Sequence, residues 1–216
     1  MVQVALVDSG GTNIGSVADA VERLGGVARL TADPAEILAA DRVILPGVGA
    51  AGAAMARLKQ LDLIGVLHEV TVPMLGVCVG AQLLFEHSEE DGGVDLLGFL
   101  PGVVAKLPGN DQIRIPHMGW NTLDLLADDP ILAGLSTGER AYFVHSYAAA
   151  VSENTLAASE HGTRFSAVVR GRTSSTSHIW GCQFHPEKSA GVGSRLLANF
   201  LSDSIVDRVS TKEVVA

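Results

Sequence analysis

The chain has 216 residues, 47% hydrophobic and 18% charged, the balance of a folded protein and the reverse of a disordered one. Fifteen Lys and Arg against 24 Asp and Glu leave a formal charge of −9, which offers no electrostatic footprint for nucleic acid. No run reaches the ~18 uncharged apolar residues of a membrane span, and the opening M-V-Q-V-A-L-V-D lacks a basic segment leading into a long apolar one, so a cytoplasmic protein is expected. Two cysteines, Cys78 and Cys182, make no disulfide scaffold, and no Cys/His cluster has metal-ligand spacing. Neither a metal nor a cofactor is expected.

In chain order, residues 2–7 (V-Q-V-A-L-V) read as a buried strand ending at Asp8. The glycine-rich turn D-S-G-G-T-N follows at 8–13. It lacks G-x-G-x-x-G, so no dinucleotide site is expected there. Ile14, Val17, Val21 and Leu24 then recur at helical spacing up to Gly25-Gly26. A second strand is expected at 42–46, with a helical stretch to about Lys59, and a third strand at 73–77 runs into Cys78 and an apolar helix, Ala81 to Phe85. Alternating strands and helices at this spacing predict a mostly parallel sheet with helices on both faces. The second half is β-rich, with strands expected at 103–107, 142–147, 165–170 and 179–184, a polar hairpin tip at 172–177, and a closing helix over 192–201.

Residues 76–80 read G-V-C-V-G. A residue at the sharp junction of a buried strand and a helix is raised above the sheet edge, and flanking glycines leave room for a substrate; this is a nucleophile elbow with Cys in place of Ser. The helix N-terminus behind it favours thiolate over thiol. On the pentapeptide alone, a buried structural cysteine fits equally well. Residues 183–188 read Q-F-H-P-E-K. Pro186 biases His185 toward an extended conformation, which puts Glu187 on the same side as His185. Alone, H-P-E reads as a surface turn. With the elbow it completes a nucleophile, base and orienting acid.

Together these two motifs resemble those of the class I (triad) glutamine amidotransferases, and the resemblance spans nearly the whole chain. It implies a flavodoxin-like α/β fold with a mostly parallel central sheet, a single domain over 1–204 and a C-terminal tail at 205–216. It implies L-glutamine as substrate, Cys78 as nucleophile, His185 as general acid/base and Glu187 as the residue orienting His185. The oxyanion donors would come from the backbone of Val79 and from P-G-V-G at 46–49, where Gly47 and Gly49 leave the Val48 peptide free to rotate. Gln82, one helical turn after Cys78, would face the same pocket, and His145, Ser146 and Tyr147 would help to hold glutamine.

P-G-V-G, P-H-M-G-W-N at 116–121, Y-F-V-H-S-Y at 142–147 and Q-F-H-P-E-K-S at 183–189, in this order, resemble the branch of the family that serves histidine biosynthesis. In that branch the partner is a (β/α)₈-barrel cyclase, which receives the ammonia. The partner face would include Trp120 and Asn121, in what reads as a polar loop, and Asn13 in the first loop. Ser9, Thr12, Ala50, Val79 and Ala148 depart from the residues usual at those positions. None touches the triad, but Ser9, Thr12 and Ala50 fall near the expected pocket mouth and partner face. A paralogue feeding a different synthase therefore stays open beside the leading reading, as does a non-catalytic partner module; a free-standing hydrolase of the same sheet is disfavoured by the 116–121 and 142–147 segments. Cys182 is expected in the core. His68, His87, His161 and His178 are expected at the surface, and Glu89, Glu90 and Asp91 at a solvated helix end.

Overall fold

A computed structural model describes residues 1–11 and 14–205. Asn13, and the tail from residue 206, lie outside the described residues. The first half alternates strand and helix, with β2, α2 and α4 added to the expected elements and the helix after Cys78 shifted to Val79–Gln82: β1 (Gln3–Val7), α1 (Ile14–Arg23), β2 (Val27–Thr31), α2 (Pro34–Leu38), β3 (Arg42–Leu45), α3 (Ala51–Gln60), α4 (Leu63–Glu69), β4 (Met74–Val77) and α5 (Val79–Gln82). Four short strands follow: β5 (His87–Ser88), β6 (Val94–Asp95), β7 (Val103–Lys106) and β8 (His117–Thr122). Then come β9 (Asp124–Leu125), β10 (Arg140–His145), β11 (Tyr147–Ala149), β12 (Thr155–Glu160), β13 (Arg164–Arg170), β14 (Ile179–Cys182) and α6 (Ala190–Leu201).

One eight-stranded sheet runs in the order β2-β1-β3-β4-β14-β13-β12-β9. The pairs from β2 through β14 are parallel, and those from β14 to β9 antiparallel. β1, β3 and β4 carry near-continuous apolar residues because both of their faces are covered; every residue of β3, β4 and β14 is buried. β10 pairs with β8 in a separate two-stranded ribbon, and β11, β7, β5 and β6 form a small third sheet. Among the described residues no helix is long and apolar enough to cross a membrane.

Several sequence expectations are corrected here. The P-H-M-G-W-N segment is mostly strand rather than loop: His117 to Asn121 lie in β8, paired residue for residue with β10 (Asn121 with Ala141, His117 with His145). The strand expected at 142–147 stops at His145, and Tyr147 opens β11. The last strand ends at Cys182, although the Gln183 N–H still donates to the Ala167 carbonyl of β13 at 2.9 Å. His178 is buried, not superficial, and donates from Nε2 to the Val70 carbonyl at 2.8 Å. The turn at 172–177 and the burial of Cys182 match expectation.

The elbow depends on contact between backbones. A Cβ at Gly80 would overlap the Leu45 carbonyl oxygen at the end of β3, and one at Gly76 would lie 2.5 Å from the Gly80 carbonyl oxygen. Glycine at these two positions lets α5 start directly against β3 and β4. Gly80→Ala is expected to destabilise the chain by about 1–3 kcal/mol, the usual cost of overpacking a core. Urea unfolding measures this; unchanged stability would show that the backbones are not in close contact.

Candidate active site

β4 and β14 are adjacent parallel strands with Val77 opposite Cys182. Their carboxyl ends therefore emerge side by side, which is where α/β sheets place ligands. Cys78 leaves β4 and donates its backbone N–H to the Cys182 carbonyl at 2.8 Å, extending the ladder by one residue. Its backbone is at φ 54°, ψ −113°, a left-handed conformation for a residue with a side chain. Such strain costs on the order of 1–3 kcal/mol and persists only where the surroundings enforce it. It turns the side chain out of the strand and over the start of α5.

His185 follows β14 by three residues. Its backbone N–H donates to the Tyr142 carbonyl at 3.0 Å, and its own carbonyl accepts from Ser189 Oγ at 2.6 Å. The same Ser189 oxygen accepts from the Tyr142 N–H at 2.9 Å, so one buried hydroxyl ties the H-P-E turn to β10. Pro186–Lys188 form one 3₁₀ turn, which brings Glu187 Oε1 to 2.9 Å from His185 Nδ1. Both side chains are almost wholly buried.

Burial is the largest influence on His185 and lowers its pKa. Hydrogen bonds with Cys78 and Glu187, and the charges of both, outweigh it and raise the pKa to about 9. Cys182 is the opposite case: full burial, reinforced by the charges of Glu187 and Cys78, pushes its thiol well above the ordinary range. Of the two cysteines, Cys78 alone lines the cavity.

That cavity, of about 400 Å³, is lined by Val48, Gly49, Cys78, Val79, Gln82, Glu90, Pro116, Val144, His145, Ser146, Tyr147, His185 and Lys188. The structure thus brings together the expected residues of the elbow, the P-G-V-G loop and the H-S-Y segment. Gly47 lies just behind, where a Cβ would stand 2.5 Å from Gly80 N and 2.8 Å from Val79 Cβ. The first loop abuts the same segment: Ser9 Oγ donates to the Pro46 carbonyl at 2.5 Å, and Gly11 packs against the Val48 side chain. Gln82 donates from Nε2 to the Tyr147 carbonyl (2.8 Å) and to Gln183 Oε1 (3.1 Å), leaving Oε1 as its atom available to a ligand. Gln183 Nε2 lies 4.0 Å from Cys78 Sγ.

Trp120 stays 45% exposed and Met118 65%, on the open face of the ribbon. The Asn121 side chain instead faces inward, donating to the Glu160 carbonyl at 2.8 Å.

Lys188, which lines the cavity, and three further residues were not legible in the sequence as site residues. Glu90 is not a solvated helix end: its Oε2 accepts from the Ala51 N–H at 2.7 Å, and it lines the cavity. Gln183 and Ser189 act through partners far away in the chain. Their adjacency to H-P-E was the one available signal.

A family model for glutamine amidotransferase class-I matches residues 5–204. The chain belongs to the class-I glutamine amidotransferases. It is 53% identical over 204 residues to the imidazole glycerol phosphate synthase subunit HisH of Xanthomonas axonopodis pv. citri, covering 94% of this chain and 99% of that one. To the HisH of Xylella fastidiosa (Temecula1) it is 51% identical over 201 residues, 93% and 98% of the two chains. This amidotransferase is therefore of the HisH kind, the branch expected from its 116–121 and 142–147 segments. The crystal structure of a candidate GMP synthase component from Thermoplasma acidophilum superposes with a TM-score of 0.74 at 21% identity, covering 99% and 98% of the two chains. That likeness concerns the fold.

Glu187→Gln removes the charge by which Glu187 raises the His185 pKa and leaves only a neutral amide oxygen to accept from Nδ1. The His185 pKa is expected to fall from about 9, as followed by imidazole NMR. Because the folded-state value lies above the unfolded 6.5, wild-type stability from this group is complete below pH 6.5 and lost as pH rises through 9. In the variant that decline should shrink; an unchanged His185 titration would disconnect Glu187 from it.

Proposed function

We propose that the chain is the glutaminase subunit of an imidazole glycerol phosphate synthase, hydrolysing L-glutamine at Cys78 and passing ammonia to a (β/α)₈-barrel cyclase. The observation that carries this is the burial of His185 between Cys78 and Glu187 at the head of a cavity of amino-acid size, in a chain about half identical to HisH proteins. The Cys78 thiolate attacks the side-chain amide carbon, and the charge passes to the carbonyl oxygen. Val48, Gly49 and Val79 line the cavity with Cys78, and their backbone N–H groups would receive it; each such donor is typically worth ~2.7–4 kcal/mol in the transition state. The His185 imidazolium gives its proton to the departing ammonia. It then takes a proton from the water that hydrolyses the thioester, and glutamate leaves. Glu187 holds the ring in orientation and stabilises its cation.

The remaining cavity walls suit glutamine. Glu90 offers a carboxylate to an α-ammonium group, Lys188 an ammonium to an α-carboxylate, and Gln82 Oε1 an acceptor. His145, Ser146 and Tyr147 supply a further wall, and the Tyr147 carbonyl accepts from Gln82 Nε2. On the outside, Met118 and Trp120 form an apolar patch on a rigid ribbon, with Trp120 edge-on to Tyr142 at 6.0 Å. An aromatic anchor of this kind fits a subunit interface. The family match at 5–204 and a sheet that draws strands from both halves support a single domain over 1–204, with Ile205 buried where the tail begins.

Glutamate release should rise strongly when the cyclase from the same source and its nucleotide ligand are added, and Cys78→Ala should abolish it without unfolding the chain. A Cys78→Ala variant with wild-type turnover would sink the mechanism. Glutamine turnover indifferent to the cyclase would assign the chain to a different synthase.

A further inference from the structure

Behind the cavity lies a buried polar chain to which the reaction gives no chemical part. His117, on β8, is 4% exposed and His145, at the end of β10, 6%. His117 Nδ1 lies 3.0 Å from His145 Nε2, His145 Nδ1 lies 2.9 Å from the Tyr147 carbonyl oxygen, and Asn121 Nδ2 lies 3.2 Å from His117 Nε2. The protons in this chain can be placed without a choice. A carbonyl only accepts, so His145 Nδ1 carries hydrogen. Burial above all lowers the His145 pKa to about 3 and the His117 pKa to about 4, so both rings are neutral and each has one donor and one acceptor. His145 Nε2 therefore accepts from His117 Nδ1, and His117 Nε2 accepts from Asn121. The Asn121 amide is oriented independently, because its Oδ1 accepts from the Thr122 N–H at 2.8 Å while Nδ2 donates to the Glu160 carbonyl at 2.8 Å.

Every bond thus runs one way, from β8 to the Tyr147 carbonyl. That oxygen also accepts from Gln82 Nε2, and Gln82 in turn meets Gln183 beside Cys78. We propose that His117, which does not line the cavity, is a positioning residue for glutamine binding: through His145 it holds the Tyr147 carbonyl, and with it the orientation of the Gln82 amide. This rests on the reading of the cavity as the glutamine site. Without the His117 donor, His145 Nε2 becomes a buried acceptor lacking its partner. If the ring changes tautomer to compensate, its Nδ1 lone pair faces the Tyr147 oxygen and the two repel. Either way, the carbonyl that anchors Gln82 loses its fixed geometry. A purely structural role in the β8–β10 ribbon would instead lower stability and leave substrate affinity alone.

His117→Phe tests the difference, since it keeps a ring stacked between Phe143 (5.0 Å) and His161 (4.2 Å) while deleting both hydrogen bonds. His117→Asn returns an N–H donor near the Nδ1 position. In the complex with the cyclase, KM for glutamine should rise tenfold or more in the Phe variant, with kcat changed less, and should return toward wild type in the Asn variant. Alkylation of Cys78 by iodoacetamide, which needs no Gln82, should proceed at the wild-type rate. An unchanged KM in a folded Phe variant, or a loss not rescued by Asn, would overturn the proposal. If the wild-type complex releases no glutamate, the reading of the cavity fails instead. The imidazole ¹⁵N spectrum of the wild-type chain decides the relay independently of activity and of variant folding: both rings should be neutral Nδ1–H tautomers from pH 5 to 9, and an Nε2–H tautomer at either would overturn it.

Discussion

The site depends on the parallel pairing of β4 with β14. These strands are about a hundred residues apart in the chain, yet their register sets Val77 opposite Cys182 and sends Cys78 and the H-P-E turn out of the same sheet edge. The bond from the Cys78 N–H to the Cys182 carbonyl prolongs that pairing into the elbow itself. A slip of one residue would turn the alternate face of β14 toward the elbow and carry the triad out of reach. Apolar side chains on both faces hold the pairing, so the rigidity of the site derives from the most deeply buried part of the sheet.

Two costs are set against that rigidity. Cys78 is held at positive φ, and His185 and Glu187 are taken almost entirely out of water. Each is offset locally. The glycines at 76 and 80 make room for the turn. The buried imidazole gains more from its two neighbours than burial removes, and so rests as a cation beside the sulfur. A buried ion pair of this kind is poor economy for stability and well suited to a proton that must move from ring to leaving group.

The parts of the protein that were legible in the sequence are those whose signal is local. The strand–turn–helix of G-V-C-V-G and the i, i+2 relation of His185 and Glu187 need only neighbouring residues, and the β/α alternation of the first half follows from apolar periodicity. What escaped depends on distant partners. β2 reads poorly because it is an edge strand with Arg29 and Leu30 exposed. The 116–121 segment looks like a loop, with Gly119 and polar residues interrupting it, until β10 pairs with it in register. His178 looks superficial until the Val70 carbonyl, 108 residues away, accepts its proton. Glu90 looks solvated until the N-terminus of α3 arrives beside it.

The central claim is that Cys78, and not Cys182, is the nucleophile of a glutamine site. It is tested most directly by treating the chain with a glutamine-mimicking diazoketone, with and without excess glutamine, and mapping the label by peptide mass. The account predicts one label per chain, on Cys78, slowed in proportion to added glutamine. A label on Cys182, or labelling of Cys78 that glutamine does not slow, would contradict it.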